Sequence, residues 1–345
     1  MKILVIQLAR LGDIFQTWPT LYGLKREYPN AEIDFLVRDR FFSATEGCAV
    51  INEVIKFPTA KILSDIVLDE NVDGSLKALN EFCSDIAHKG YDQVINLSFS
   101  PFSSYLVASI STATDVEIKG YTRYSDGYLC IPDDVSAYFY AQVGIDKANR
   151  VHLSQIFSGV AGIDLVAEDW SCQMATQNFN STLEKFKLKE SEYIILQAGA
   201  SQIEKTYGAD KWAQVLNHLS KVSDIKIVLV GAKDEESLIA EICLKSNNIN
   251  IVELCGKTSI SELFHLVYAA QLAVSGDSLL VHLASLANTR TLNVSMNTVN
   301  FWETGPLAKK SRIVFGDTRD DIASDRVAAE IESMLSDKMS GYPII

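Results

Sequence analysis

The segment Ala273-Val-Ser-Gly-Asp-Ser-Leu-Leu-Val-His-Leu-Ala-Ser-Leu-Ala287 predicts a buried strand, a tight turn at Gly-Asp-Ser, and an apolar helix that begins immediately afterwards. A helix N-terminus has unpaired backbone N–H groups and a partial positive charge, so this junction favours the binding of phosphate. A second strand-turn-helix junction is predicted at Leu11-Gly12-Asp13-Ile14, where a carboxylate follows the end of a strand. Together the two junctions favour a transferase of two domains, with a diphosphate held in one half and a carboxylate in the other.

Length and composition limit the class of protein. The 345 residues are enough for two domains of ordinary size, and 48% hydrophobic with 22% charged residues is typical of a soluble globular chain. The net charge of −13 argues against general nucleic-acid binding, which needs a basic surface. The same charge argues against tight electrostatic docking on an anionic membrane. We therefore expect no nucleic-acid partner and at most peripheral association with a membrane.

The cysteines and the apolar segments indicate the compartment. Six cysteines are scattered without a C-x-x-C pair, which is typical of reduced thiols in a cytosolic protein without a zinc site. A buried-strand pattern begins at Lys2, so no signal peptide is expected ahead of the fold. The longest uncharged segment, residues 93–114, contains Pro101 and many serines, which favours a strand, a loop and a short helix over a membrane span.

Short apolar runs alternate with amphipathic segments along the chain, which is the pattern of α/β units on parallel sheets. Strands are predicted in the first half at Lys2–Ile6, Glu32–Val37, Val54–Phe57, Gln93–Leu97 and Val116–Lys119, with helices at Phe15–Glu27, Gly74–Lys89 and Ser103–Ser109. Strands are predicted in the second half at Tyr193–Leu196, Ile225–Val230, Ile251–Leu254, Leu272–Ser275 and Thr291–Val294, with helices at Ala209–Ser220, Asp234–Lys245, Ser259–Ala270 and Ser278–Ala287.

Domain boundaries follow from a change in pattern between these halves. Residues 164–190 are polar and weakly periodic, and they indicate the linker. We predict domains at residues 1–170 and 185–320 and a terminal helix within residues 321–338. Two doubly wound domains, each binding its ligand at the carboxyl ends of the strands, are the expected architecture.

Helix caps are predicted at two places in the second half. Thr258 or Ser259 is the expected cap of one helix, with Glu262 as the partner in a capping box. Ser324 is the expected early cap of the last amphipathic helix, Ile322–Leu335.

Asp277 and Ser278 have two interpretations from the residues alone. Either Ser278 and the amides after it hold phosphates at the start of the helix, or the two residues simply cap that helix. His282 follows Ser278 by one helical turn and lies on the same face, where it would reach the same ligand. A packed, hydrogen-bonded core histidine is the alternative.

Asp13 is the candidate for acid–base chemistry. It follows Gly12 just beyond the carboxyl end of the first strand, where α/β folds place ligands. Its carboxylate would act as a general base on an acceptor hydroxyl. Capping of the helix expected from Phe15 is the other interpretation, because aspartate is a favoured cap.

Two further charged residues follow strands of the second half. Lys205 lies in a loop of small residues that permits close backbone approach, and its mobile cation suits a diphosphate. Glu235 follows the next strand, where a carboxylate would accept hydrogen bonds from ribose hydroxyls. A solvated surface lysine and an acidic first helical turn are the alternatives.

These landmarks lie in a chain that resembles glycosyltransferase family 9, the bacterial lipopolysaccharide heptosyltransferases, nearly from end to end. The opening Lys2-Ile-Leu-Val-Ile-Gln-Leu-Ala-Arg-Leu-Gly-Asp13, followed by Thr17-Trp-Pro19, is similar to the family's opening with its Gly-Asp turn. Further similar segments are Tyr91–Leu97, Asn149–His152, Ala198-Gly-Ala-Ser201 followed by Lys205, Gly256–Leu263, and Gly276-Asp-Ser278 with His282.

The resemblance implies an α/β protein of the GT-B fold, with two Rossmann-like doubly wound domains facing across a cleft. The N-terminal domain would hold a glycan or glycolipid acceptor, the C-terminal domain a nucleotide sugar, and the terminal helix would cross back to the N-terminal domain. The implied reaction inverts the anomeric centre and needs no metal or other cofactor, since the nucleotide sugar, expected to be ADP-heptose, is a substrate. Such an enzyme would be cytoplasmic, with peripheral association at the inner face of the inner membrane.

The resemblance also implies roles for individual residues. Asp13 would be the catalytic base and Lys205 the second catalytic residue, which stabilises the leaving diphosphate. Ser201 would hold donor phosphates, Glu235 would bind the ribose, and Thr258 would lie beside the base. The whole implied donor-binding set comprises Gly12, Ser201, Glu235, Thr258, Asp277, Ser278, Leu279 and His282.

Several departures from the family pattern fall on the donor side. Leu279 stands where the family has a glycine, Gln197 and Ala198 replace its His-Pro, and residues 295–298 replace its Phe-Gly-Pro-Thr. A branched side chain at Leu279 would hinder close phosphate approach, because glycine provides backbone access. Two alternatives therefore stay open: a family member with a different nucleotide sugar and acceptor, and a degenerate protein that binds a glycan or a partner without turnover.

Overall fold

The computed structural model describes residues 1–69, 71–111, 116–170, 178–200, 202, 205–247 and 250–336. Its internal contacts divide the chain into two compact units. Unit 1 comprises residues 1–143 and 153–172, and unit 2 comprises residues 144–152 and 173–345. The segment 144–152, which the sequence pattern placed in the first domain, thus packs with unit 2.

Unit 1 is built on a parallel sheet. Its strands are β1 Lys2–Gln7, β2 Glu32–Arg38, β3 Glu53–Phe57, β4 Gln93–Asn96 and β5 Glu117–Gly120. They lie in the order β3-β2-β1-β4-β5, and every pair is parallel. Ile3 to Ile6 of the central strand are fully buried, as expected where helices cover both faces of a parallel sheet. An antiparallel pair, β6 Thr122–Arg123 and β7 Leu129–Cys130, follows in the chain.

The helices of unit 1 are α1 Leu11–Glu27, α2 Thr59–Asp69, α3 Val72–Ala87, α4 Pro101–Ser111, α5 Asp134–Gln142 and α6 Leu153–Ala161. Helix α1 begins at Leu11, four residues before the predicted start, so the expected turn at Gly12-Asp13 lies inside the helix. The prediction of that turn was therefore wrong. Burial explains the early start, because Ile14, Phe15 and Trp18 are fully buried and hold the first turns against the sheet.

Unit 2 is built on a second parallel sheet. Its strands are β8 Tyr193–Gln197, β9 Lys226–Val230, β10 Ile251–Glu253, β11 Leu272–Ser275, β12 Thr291–Met296 and β13 Arg312–Gly316. They lie in the order β10-β9-β8-β11-β12-β13. The five strands predicted in this half are confirmed within two residues at each end, whereas the edge strand β13 was not predicted.

The helices of unit 2 are α7 Phe179–Phe186, α8 Ala209–Val222, α9 Glu236–Lys245, α10 Ile260–Ala269, α11 Leu279–Ala287, α12 Phe301–Thr304 and α13 Ser324–Leu335. The predicted capping box of α10 is confirmed: Ser259 Oγ accepts from Glu262 N at 3.2 Å, and the Glu262 carboxylate accepts from Ser259 N at 2.9 Å. None of the described helices combines the length and the apolar character that a membrane span requires.

The terminal helix α13 packs inside unit 2, against α8 and β12. Its apolar face joins the core of that sheet, and Arg312 of β13 donates to Glu330 on the helix at 2.8 Å. The expectation that the terminal helix crosses back to the N-terminal domain stays a prediction. Ser324 is not the cap, because it is the first helical residue and its hydroxyl donates to Gln214 at 2.9 Å.

Candidate functional site

The order in which the chain adds strands to the sheet of unit 2 reverses between β8 and β11. From β8 the chain continues to β9 and then β10 on one side, whereas β11 leads to β12 and β13 on the other. Gln197 and Ser275 end the two adjacent strands and pair directly across them. In open α/β sheets, ligands bind in the crevice beyond the carboxyl ends of such strands. The loops after β8 and β11 are therefore the candidate ligand site of this unit.

Lys205 and Asp277 meet in this crevice although they lie 72 residues apart in the chain. Lys205 Nζ lies 3.2 Å from Asp277 Oδ2, and the two side chains are 17% and 19% exposed. Asp277 Oδ1 accepts from Thr304 Oγ1 at 2.9 Å, so each carboxylate oxygen has a donor. The structure thus holds a cation at the place expected for the diphosphate, and it brings together two of the predicted residues.

A neighbouring side chain already occupies the N-terminus of α11. Gln197 Oε1 accepts from Leu280 N at 3.2 Å and from Ser278 Oγ at 3.0 Å, and Ser278 Oγ also bonds to Ser275 Oγ. The side-chain cap of this helix is therefore Gln197, and the expected cap at Asp277 or Ser278 is not formed. An anion that approaches Leu280 N must displace the Gln197 oxygen, while Leu279 stands half-buried beside it.

Glu235 adjoins this cap through the same glutamine. Glu235 Oε2 accepts from Ala232 N at 2.7 Å. Burial raises the pKa of Glu235, and hydrogen bonds from Ala232 N and the Gln197 side chain oppose that shift. A Cβ at position 199 would lie 1.8 Å from Glu235 Oε1, so only glycine leaves room for this carboxylate. Glu235, Gln197 and Ser278 therefore form one continuous polar network at the sheet edge.

Thr258 lies farther along this edge. It follows β10 and is half-buried, and its loop is tied to the end of β9 by a hydrogen bond from Gly256 N to Gly231 O at 2.9 Å. Within the described parts of the chain, no hydrogen bond joins Thr258 to Glu235. Ser201, the remaining expected phosphate ligand, lies outside the described residues. A group of three or more His, Cys, Asp or Glu side chains suited to a metal is likewise absent from the described ranges.

A buried carboxylate attaches the segment 144–152 to this part of unit 2. Glu303 is 6% exposed, and its Oε1 accepts from Gly144 N at 2.9 Å, Asn149 Nδ2 at 3.1 Å and Asn300 Nδ2 at 3.0 Å. Asn300 Nδ2 also donates to Asn149 O at 2.9 Å. Because Thr304 binds Asp277, the short helix α12 connects the segment 144–152 with the candidate ligand site.

Two histidines, His152 and His282, interact electrostatically in this part of unit 2. His152 Nε2 donates to Gly305 O at 3.2 Å. Burial, and to a lesser extent the charge of His282, lowers the pKa of His152 to about 3, so its imidazole is neutral at physiological pH. His282 itself is 9% exposed on α11. The structure thus places the predicted His282 beside His152, in a buried setting.

Asp13 occupies the corresponding place in unit 1. There β1 leads to β2 and β3, while β4 and β5 lie on its other side, so Asp13 follows a strand at the switch point of this sheet. It is the third residue of α1, and its Oδ2 accepts from Arg10 N at 2.9 Å. Asp13 therefore accepts from the backbone of the N-cap residue Arg10 as the third residue of the helix, and it is not the N-cap of a helix from Phe15. The residue is also half-exposed, as a base that meets an acceptor must be.

The sequence did not predict the contacts of Gln197, Glu303 and Thr304. Gln197 was identified only as a departure from the family pattern, although it is the first polar residue after the apolar run of β8. Glu303 and Thr304 lie in a four-residue helix without periodicity. Their partners are up to 159 residues away, so no local pattern could have identified them.

Comparisons with known proteins agree with this fold. The model of glycosyltransferase family 9 (heptosyltransferase) matches residues 81–330. Lipopolysaccharide heptosyltransferase 3 of Escherichia coli is 24% identical over 320 residues, which is 84% of this chain and 86% of the relative. The structure of E. coli ADP-heptose lps heptosyltransferase II has a TM-score of 0.73 at 19% identity, covering 98% of this chain and 99% of that one. An E. coli heptosyltransferase solved with ADP has a TM-score of 0.69 at 17% identity, covering 97% of this chain and 100% of that one.

These likenesses confirm the predicted α/β class and the GT-B fold. The family model spans well over half of the 345 residues and includes the second sheet with its Lys205–Asp277 pair. The chain therefore belongs to glycosyltransferase family 9, the heptosyltransferase family, and is a glycosyltransferase.

Proposed function

We propose that this protein transfers a heptose from ADP-heptose to a glycan of the lipopolysaccharide core or a related cell-envelope acceptor. The observation that carries the proposal is the Lys205–Asp277 pair at the β8/β11 switch point, beside the N-terminus of α11. A shielded cation next to helix amides suits a nucleoside diphosphate. The relative solved with ADP, and the one described as an ADP-heptose enzyme, favour this donor.

The proposed reaction is a single inverting displacement. Asp13 takes the proton of an acceptor hydroxyl, and the oxygen attacks the anomeric carbon of the heptose from the face opposite the diphosphate. The bond from that carbon to the diphosphate oxygen breaks, and ADP leaves. Lys205 stabilises the charge that develops on the leaving group, and the amides of α11 do so once the diphosphate has displaced the Gln197 oxygen from Leu280 N. We assign no step to a metal ion.

We assign the remaining donor contacts to unit 2 and the acceptor to unit 1. Unit 2 would bind the nucleotide sugar, with Glu235 on the ribose, Thr258 beside the base, and Ser201 on the phosphates. Asp277, Ser278 and His282 would line the sugar and the diphosphate, while unit 1 would bind the acceptor. We place the enzyme at the cytoplasmic face of the membrane, associated peripherally with its acceptor.

A different nucleotide sugar is the alternative, and one observation favours it. Gln197 Oε1 accepts the hydrogen bond from Leu280 N, and the side chain of Leu279 lies beside it. The surroundings of a phosphate at the N-terminus of α11 therefore differ from the family pattern. A donor whose phosphates bind mainly to Lys205, leaving the Gln197 cap in place, would suit this arrangement. The base and the sugar of that donor would then differ from ADP-heptose.

Calorimetric titration with ADP, GDP, UDP and ADP-heptose tests the proposal. We expect selective binding of ADP and ADP-heptose, lost in Asp277→Ala and kept in Asp224→Ala, which removes an exposed carboxylate elsewhere in unit 2. Binding of another nucleotide alone would establish the alternative donor. Binding of none would favour a non-catalytic member of the family. With ADP-heptose bound, release of ADP on addition of truncated lipopolysaccharide measures the transfer itself.

A further inference from the structure

The side chain of Gln197 joins two groups that the proposed donor would contact. Its oxygen, Oε1, accepts from Leu280 N at 3.2 Å and from Ser278 Oγ at 3.0 Å, at the N-terminus of α11. Burial raises the pKa of Glu235, and a hydrogen bond from the same glutamine opposes this rise. A backbone N–H only donates and a carboxylate only accepts, so these partners determine which end of the amide faces each of them.

The backbone that presents Leu280 N is fixed independently of this glutamine. Asn293 on β12 is 2% exposed, and its Nδ2 donates to Gly276 O at 3.0 Å and to Ser275 O at 3.3 Å, which holds the turn before α11. Leu280 itself is fully buried. Gln197 is only half-buried at the end of β8, so its side chain borders solvent. Rotation of this side chain is therefore enough to release Leu280 N for another acceptor.

The Gln197 oxygen forms the contacts that a phosphate oxygen forms at the start of a helix. These contacts are a hydrogen bond from a backbone N–H and one from a hydroxyl. The nearby cation has an internal partner as well, because Lys205 Nζ lies 3.2 Å from Asp277 Oδ2. The chain thus supplies a partner of its own to both groups that suit a diphosphate.

We propose that Gln197 competes with the donor phosphate for the N-terminus of α11 and thereby selects phosphorylated ligands. The inference rests on the proposed function, in which unit 2 binds a nucleoside diphosphate. A hydrogen bond to a charged oxygen is roughly twice as strong as one to a neutral oxygen. A phosphate oxygen therefore displaces the amide oxygen from Leu280 N, whereas a neutral hydroxyl does not. The displacement lowers the affinity of the donor, because one hydrogen bond must break before another forms.

Calorimetric titration of the full chain with ADP and with inorganic pyrophosphate tests the competition. Pyrophosphate has neither base nor ribose, so it reports on the phosphate position without the proposed contact between ribose and Glu235. Gln197→Ala removes the competing oxygen, and Gln197→Glu keeps an acceptor at α11 but gives it a negative charge. Gln271→Ala and Gln271→Glu are the matched controls, because Gln271 directly precedes β11, at the opposite end of that strand from the site.

We expect Gln197→Ala to bind both ligands more tightly than the wild type, by roughly threefold to tenfold, because no internal acceptor has to leave Leu280 N. Gln197→Glu should bind both more weakly, by about tenfold or more, since its carboxylate caps the helix more strongly and repels the phosphate. Both Gln271 variants should bind as the wild type does. A residue that only supports the fold would not raise an affinity when it is removed.

Equal or weaker binding of pyrophosphate in Gln197→Ala would overturn the competition. A gain for ADP alone would overturn it too, since the effect would then act through Glu235 and the ribose. If Gln197→Ala does not fold, Gln197→Glu decides, and a pyrophosphate affinity equal to that of the wild type would refute the inference. The same holds if neither the wild type nor Gln197→Ala binds pyrophosphate. Failure of the proposed function appears separately, as ADP binding that is absent from both chains although pyrophosphate binds.

Discussion

The attachment of the segment 144–152 depends on the Glu303 carboxylate, and Glu303→Ala should release it. A single oxygen, Oε1, accepts from Gly144 N, Asn149 Nδ2 and Asn300 Nδ2. Glu303→Gln is the matched control, since glutamine keeps a side-chain oxygen in the same place. The comparison separates the loss of the acceptor from the loss of the charge.

The size of this effect depends on which hydrogen bonds each of the three donors still forms in Glu303→Ala. Gly144 N loses the partner that the structure gives it, which costs about 1–2 kcal/mol at a half-buried position. Asn149 Nδ2 and Asn300 Nδ2 retain Val151 O and Asn149 O as acceptors, so each loses about 0.5–1 kcal/mol. The free energy needed to detach the segment should therefore fall by about 2–4 kcal/mol. This raises the population of the detached state by a factor of roughly 30 to several hundred.

Hydrogen exchange, followed by mass spectrometry on peptides that cover residues 144–152, measures this population directly. In Glu303→Ala we expect exchange faster by that factor, with peptides of α8 unchanged. In Glu303→Gln we expect exchange within about threefold of the wild type, since the acceptor remains. Equal rates in Glu303→Ala and the wild type would refute the reasoning. Equal acceleration in both variants would show that the charge, and not the acceptor, holds the segment.

Three further outcomes are expected. Asp13→Asn should lower the rate of transfer by about 10²–10⁴-fold without changing the calorimetric affinity for ADP-heptose, and normal turnover would exclude Asp13 as the base. Lys205→Ala should weaken ADP binding roughly tenfold or more, whereas the exposed control Lys257→Ala should not; equal affinities would make Lys205 a structural partner of Asp277 alone. The pKa of His152 is about 3 in the native state against 6.5 as its ordinary value, so the native state binds fewer protons than the unfolded state between those limits. The neutral His152 should therefore contribute its full share to the free energy of unfolding above about pH 6.5, and this free energy should fall by up to about 1.4 kcal/mol per pH unit as the pH decreases towards 3. Urea titrations at pH 7.5, 6 and 5 measure this slope, and His152→Gln should make it flatter. Equal slopes in the variant and the wild type would contradict the expectation.

Local patterns were enough to predict the class of fold and most elements of unit 2. The buried apolar runs of β8, β9 and β11 appear as continuous hydrophobic segments, because a parallel sheet covered on both faces needs them. The capping box of α10 was predicted because Ser259 and Glu262 are three residues apart, within one turn. The family was recognisable for a similar reason, since its motifs are short segments at strand ends.

Contacts between distant parts of the chain were decided only by the tertiary structure. Helix α1 begins at Leu11 because packing of its first turns outweighs the turn signal of Gly12-Asp13. Nothing near Ser278 in the sequence indicates that Gln197, 81 residues earlier, caps the helix. The attachment of Gly144 to Glu303 spans 159 residues. Helix and strand signals act over three or four neighbours, whereas the site is assembled where strand order brings separate loops to one edge of a sheet, and that order is a property of the packed molecule.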